Sequence, residues 1–160
     1  MLIQAASDRP TETVYSVRAL EDHSQRTLSE WLNDQHVPNP LEKNKLHCSV
    51  VCACSELPPQ YIPDRRRVFI APTTYRLGVI GPAFALFFEC CDLERQWNEA
   101  IEQGVRMMYP TFVPHISLSY EVQADWDYST LQPPDFSLVL AGEVVNKFDP
   151  QYAKRNWQHA

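Results

Sequence analysis

Two short segments constrain this chain more than any other part of its sequence. Residues 46–50 and 114–118 both read as β-strand, and each contains a His, one intervening residue, a Ser and then an apolar residue. Because residues i and i+2 of a strand point to the same side, each segment places an imidazole beside a hydroxyl. If the two strands face each other, one cleft receives four side chains: His47, Ser49, His115 and Ser117.

This set of side chains suits acid and base chemistry on a phosphodiester. Imidazoles titrate near neutral pH, so they can accept and donate protons there. Hydroxyls and protonated imidazoles can bind the non-bridging oxygens of a phosphate. In a ribonucleotide the 2′-hydroxyl is a built-in nucleophile, so a pair of His residues supplies the remaining acid and base.

Composition limits the alternatives. At 160 residues and 44% hydrophobic content, residues 1–160 are expected to form one globular domain. A net charge of -6 argues against a protein that grips long nucleic acid, but it permits a small anionic ligand held by local groups. Five cysteines without a CxxC pair suggest reduced thiols in a cytoplasmic protein. We expect no metal site and no membrane span.

Hydrophobic periodicity predicts an α+β fold. We expect Ser24 and Asp92 to cap the two helices, and His47, Ser49, Val51 and Ala53 to share one face of a strand. The order suggests a duplicated strand-helix-strand unit forming a bilobal domain, with a concave antiparallel sheet, helices outside and a central cleft. The predicted strands are 13–20, 47–54, 68–77, 83–90, 115–120 and 136–145, and the predicted helices are 24–35 and 93–107.

Two H-x-[S/T]-apolar motifs in the halves of a small α+β domain resemble the 2H phosphoesterase superfamily. Tyr15 on the first strand, the 109–114 approach to the second motif and an aromatic, basic tail after Glu143 are most similar to the phage anti-CBASS protein 1 family. The resemblance implies a metal-independent phosphodiesterase without a cofactor. Its substrates would be cyclic di- and trinucleotide messengers such as cGAMP, cleaved at 3′-5′ bonds in the host bacterial cytoplasm.

The resemblance also implies roles for individual residues. His47 and His115 correspond to the acid and base, and Ser49 and Ser117 to phosphate binders. Tyr15 would stack on a base.

Two further expectations concern the C-terminal part of the chain. The resemblance implies that Glu143 contacts a base edge. Because the tail beyond the last strand carries two aromatics and two cations, we expect residues 148–160 to act as a lid, with Trp157 against the substrate.

Three other functions are compatible with the same sequence. The chain could act on RNA ends or 2′-5′ linkages, although its acidic charge counts against this. It could be a non-catalytic sponge that sequesters a cyclic nucleotide, although two retained His residues count against this. It could also be a structural or interaction domain in which the motifs occur by chance. The sequence favours no particular base, ring size or oligomeric state.

Overall fold

A computed structural model describes residues 14–147 of the chain. In this part the protein has two α-helices and eight β-strands, which confirms the α+β class. Neither helix is long and apolar enough to cross a membrane. The helices are α1 (Asp22–Asp34) and α2 (Cys91–Glu102). The strands are β1 (Val14–Ala19), β2 (His47–Ala53), β3 (Val68–Ile70), β4 (Arg76–Ile80), β5 (Ala83–Phe87), β6 (His115–Ser119), β7 (Leu138–Leu140) and β8 (Val144–Lys147).

The strands form three antiparallel sheets. One sheet has the order β2-β1-β8, another has the order β4-β5-β6, and β3 pairs with β7. The two strands that begin with His, β2 and β6, are therefore edge strands of different sheets, and they contact each other. Beside this contact, the Leu41 amide donates to the Leu118 carbonyl at 2.8 Å. The topology thus brings the two motif strands together, as the half-chain spacing predicts.

The hydrophobic core joins both three-stranded sheets to the helices. Leu28 and Leu32 of α1 and Leu93 of α2 are fully buried, and they belong to one cluster with Leu86 of β5. Helix α2 packs on β2. Its Gln96 accepts a hydrogen bond from Arg18 of β1. Arg18 lies on the opposite face of β1 from Ala19, the residue that pairs with His47. One face of the first sheet is therefore covered by helix, and the other carries the motif residues.

Two predicted strands are each divided in the structure. Residues 72–74 form a short 3₁₀ helix that begins at Pro72 and separates β3 from β4, so β3 pairs with β7 and only β4 forms the hairpin with β5. The predicted strand 136–145 is broken between β7 and β8, where a Cβ at Gly142 would lie 2.8 Å from the Arg65 carbonyl oxygen. This close approach requires glycine and fixes the break.

The predicted helix caps are wrong. Helix α1 begins at Asp22, and the Ser24 hydroxyl accepts a hydrogen bond from the Val139 amide at 2.8 Å. This hydrogen bond links α1 to β7. Helix α2 begins at Cys91, with Asp92 in its first turn, and ends at Glu102. Gly104 follows with a φ of 99°, a conformation that ends helices because glycine adopts it without steric cost.

A β-bulge changes the side-chain alternation predicted for β2. Val17 of β1 pairs with Ser49, but the preceding Ser16 pairs with Val51, so the register shifts by one residue. As a result Val51 and Ala53 are buried in the core instead of sharing the face of His47 and Ser49. The bulge confines the motif face of β2 to its first three residues.

Candidate active site

The four motif side chains occupy equivalent places in the two three-stranded sheets. Each is half-buried, and each lies on the first three residues of an edge strand. The register places their neighbours directly across the adjacent strand, where paired residues share a face. These pairs are His47 with Ala19, Ser49 with Val17, His115 with Phe87 and Ser117 with Ala85.

Both imidazoles are held by the same kind of hydrogen bond. The Nδ1 atom of His47 lies 2.7 Å from the Lys45 carbonyl, and the Nδ1 atom of His115 lies 2.7 Å from the Val113 carbonyl. A carbonyl oxygen only accepts hydrogen bonds, so Nδ1 carries the proton in both rings. The Nε2 atom of each neutral ring is then a base, and it becomes an acid when it is protonated.

The titration of His115 depends on its burial and on His47. Burial lowers the pKa of His115 below its ordinary value, and the charge of nearby His47 lowers it further. The hydrogen bond to Val113 opposes this effect only in part. His115 is therefore biased toward the neutral form near pH 7, as a proton acceptor requires.

The two motif hydroxyls differ from other serines in the same strands. Ser16 accepts a hydrogen bond from the Val51 amide, and Ser119 donates to backbone carbonyls. Both hydroxyls therefore already have hydrogen-bond partners within the protein. By contrast, Ser49 and Ser117 make no side-chain hydrogen bond to another residue within 14–147. Their hydroxyls can therefore bind a ligand without breaking an internal contact.

Two site residues, Phe87 and Arg76, were missed by the sequence analysis. The Phe87 ring lies 5.8 Å from the His115 ring, inclined at 33°, and the Arg76 guanidinium lies 5.1 Å from the centre of the Phe87 ring. Register alone places both beside the second motif. The sequence carries no local signal for this, because three separate strands must pair first.

Tyr15 shares the motif face of the first sheet. Alternation along β1 sets Tyr15, Val17 and Ala19 on one side, and Val17 and Ala19 pair with Ser49 and His47. The structure thus brings Tyr15 to the face of the motif residues, where its stacking role stays a prediction. Trp157 and the expected lid lie outside the described residues.

Glu143 is not beside the four motif residues. It is fully buried, and its carboxylate accepts hydrogen bonds from the Tyr61 hydroxyl and, at 2.8 Å, from the Asp64 amide. Asp64 in turn pairs with Arg18, whose guanidinium also donates to Gln96. Both oxygens of Glu143 are thus engaged within the protein, and its contact with a substrate base stays a prediction.

Four members of this polar cluster, Tyr61, Asp64, Gln96 and Glu143, line a cavity of about 330 Å³ that is open to solvent. Its walls come from the 61–66 connection, from α2 and from Glu143. The pKa of Tyr61 is raised, because burial disfavours its charged form and it donates to Glu143. None of the four motif residues lines the cavity, so the cavity is separate from the candidate active site. Across residues 14–147, His, Cys, Asp and Glu side chains form no group of three able to hold a metal ion.

Several solved structures have the same fold as this protein. A structure described as a phosphoesterase has a TM-score of 0.57 and 15% identity, covering 85% of this chain and 88% of that chain. E. coli LigT complexed with 3′-AMP has a TM-score of 0.59 and 15% identity over 85% and 87%. E. coli LigT complexed with NADP+ has a TM-score of 0.57 and 16% identity over 87% and 90%. The protein has the 2H phosphoesterase fold.

The sequence comparison identifies the family within this fold. Residues 12–155 match the family described as anti-CBASS protein Acb1. Because the match spans most of the chain, the protein belongs to the Acb1 anti-CBASS family. No curated protein matches the sequence significantly. Together, the family and the fold support a phosphodiesterase that counters CBASS.

Proposed function

We propose that the protein is a metal-independent phosphodiesterase that cleaves 3′-5′ bonds of cyclic di- and trinucleotide messengers such as cGAMP. The observation that carries the proposal is the matched pair of imidazoles. His47 and His115 each donate Nδ1–H to a carbonyl at 2.7 Å, so each has Nε2 available for proton transfer. A protein that only bound the messenger would not require two proton carriers beside each other.

The reaction needs one proton acceptor and one proton donor. A neutral imidazole removes the proton from a ribose 2′-hydroxyl, and the 2′-oxygen attacks the neighbouring phosphorus. The bond from phosphorus to the 5′-oxygen breaks, and the second, protonated imidazole gives its proton to that oxygen. The products are a 2′,3′-cyclic phosphate and a free 5′-hydroxyl, so atoms and charge balance without a co-reactant.

The remaining groups bind the substrate. Ser49 and Ser117 donate to the non-bridging oxygens, where negative charge grows in the transition state. Tyr15 stacks on a base from the same face of the sheet. The tail 148–160 closes over the substrate with Trp157 against it. The site of action is the cytoplasm of a bacterial host.

A substrate panel tests the proposal. Cyclic dinucleotides, linear RNA and 2′-5′ oligoadenylate are incubated with the protein in EDTA, and the products are resolved by mass. We expect cleavage of the cyclic dinucleotides to products with a 2′,3′-cyclic phosphate, and no cleavage of an analogue whose 2′-hydroxyls are methylated. Preferred cleavage of RNA or 2′-5′ bonds would show a different 2H enzyme. Tight binding without cleavage would show a sponge, and a strict metal requirement would contradict the proposed chemistry.

A further inference from the structure

Arg76 lies on the same face as His115, two strands away. Arg76 pairs with Phe87 across β4 and β5, and Phe87 pairs with His115 across β5 and β6. Neighbouring strands are about 5 Å apart, so the Cα atoms of Arg76 and His115 are about 10 Å apart across the sheet. Because two strand spacings separate the backbones, the Arg76 guanidinium can meet an anionic group other than one bound at His115.

The Phe87 ring supports both of its neighbours. Only 8% of Phe87 is exposed, and its ring lies between the Arg76 guanidinium and the His115 imidazole. A Cβ at Gly78 would lie 3.0 Å from the ring, so glycine at this position lets the ring lie over β4. A guanidinium held against an aromatic face loses less freedom when it binds an anion.

Arg76 has no ion-pair partner within residues 14–147, whereas four of the eight arginines in this part of the chain have one. Arg18, Arg66, Arg67 and Arg95 each form an ion pair with a carboxylate. Arg76 is exposed, and no carboxylate within residues 14–147 lies within 4 Å of its nitrogens. Its planar donors are therefore available for a bidentate contact with a phosphate.

We propose that Arg76 binds a second phosphate of the substrate, next along the ring from the phosphate held between the imidazoles. This inference rests on the proposed function and adds a residue that determines specificity. Each nucleotide of a cyclic oligonucleotide carries a phosphodiester, so a second phosphate is always present. Arg76 thereby favours cyclic substrates over molecules with one phosphodiester.

The test compares two substrates with the same bases. One is a cyclic dinucleotide with two phosphates, and the other is a dinucleoside monophosphate with one 3′-5′ phosphate. For Arg76→Gln we expect the ratio of kcat/KM for the first over the second to fall about tenfold, as for a lost charge-assisted hydrogen bond. The KM for the cyclic substrate should also become less sensitive to salt. Arg95→Gln, on the surface of α2, is the matched control and should preserve the ratio.

A structural role for Arg76 gives a different result. If Arg76 only held Phe87 and His115 in place, Arg76→Gln would lower kcat/KM for both substrates equally, and this outcome overturns the inference. Phe87→Leu is expected to give such a parallel loss, because it removes support from the imidazole. Calorimetric binding of the same two ligands tests Arg76 separately from turnover. A protein that cleaves neither ligand contradicts the proposed function, and unchanged selectivity of binding in Arg76→Gln contradicts the role of Arg76.

Discussion

His47 and His115 are anchored identically, each by a 2.7 Å hydrogen bond between Nδ1 and the carbonyl two residues earlier in the chain. Residues 45 and 113 both precede the strands that begin with the His residues. The anchor fixes the same tautomer in both rings and leaves Nε2 as the atom for proton transfer. The two halves of the site therefore orient their imidazoles in the same way.

Replacing either imidazole should abolish turnover without unfolding the protein. For His47→Ala and His115→Ala we expect kcat to fall at least ~10²-fold, because acid and base act mainly in the transition state. Affinity for the cyclic substrate should change far less. The matched control is His23→Ala on the exposed side of α1. Near wild-type rates in both motif variants would refute the assignment.

The titration of His115 should depend on His47. We expect the pKa of His115 to lie below its ordinary value, and to rise in His47→Ala because a repelling charge is lost. It should remain depressed, since burial is the larger cause. Titration of the imidazole C–H signals by NMR measures both values. A pKa that does not move in His47→Ala would show that the two rings do not interact.

The same shift affects stability. The folded protein binds a proton at His115 less readily than the unfolded chain, so the free energy of unfolding should fall as pH decreases through about 6.5. The loss continues until the pH passes the depressed pKa of the folded state. Urea unfolding of wild type and His115→Gln between pH 5 and 8 measures it, and the variant should show a shallower dependence. Equal slopes would contradict the prediction.

The motif serines and the buried serines should respond differently to substitution. Ser49→Ala and Ser117→Ala should lower kcat about 10- to 100-fold, since each removes a hydrogen bond to the charged phosphate, with little change in thermal stability. Ser16→Ala is the contrast: it removes a buried hydrogen bond to the Val51 amide. It should cost about 1 to 3 kcal/mol of unfolding free energy. Thermal unfolding and kinetics on the same samples separate the two effects.

A methyl group at Gly142 should destabilise the fold. The added Cβ would lie 2.8 Å from the Arg65 carbonyl oxygen, so the 61–66 connection must move. We expect Gly142→Ala to lower the free energy of unfolding by about 1 to 3 kcal/mol. Gly81→Asn is the control, because nothing lies within 4 Å of its Cβ and Asn tolerates a φ of 55°. A smaller loss at position 142 than at 81 would argue against the close contact.

The tail should contribute to substrate affinity. Deleting residues 149–160, which include Trp157, should raise the KM for a cyclic dinucleotide, because one stacking contact is worth about 1 to 3 kcal/mol. The substitution Trp157→Ala should give part of this effect. Unchanged kinetics in the truncated protein would show that the tail does not close over the substrate.

The sequence alone determined the parts of the site that depend on local geometry. The pairing of His47 with Ser49, and of His115 with Ser117, follows from the two-residue period of a strand. Their separation by about half the chain indicated two related halves, and the structure confirms that the two strands meet. The α+β class followed from hydrophobic periodicity for the same reason: it depends on neighbours along the chain.

Only the tertiary structure decided what depends on pairing between distant segments. The bulge at Ser16 and Val17 turned Val51 into the core, and close contact with residue 65 broke the last predicted strand at Gly142. The placement of Arg76 and Phe87 beside His115 needed the register of three strands. Register is fixed by burial of whole faces and by backbone contacts between segments far apart in sequence. Local residue patterns carry no record of those contacts.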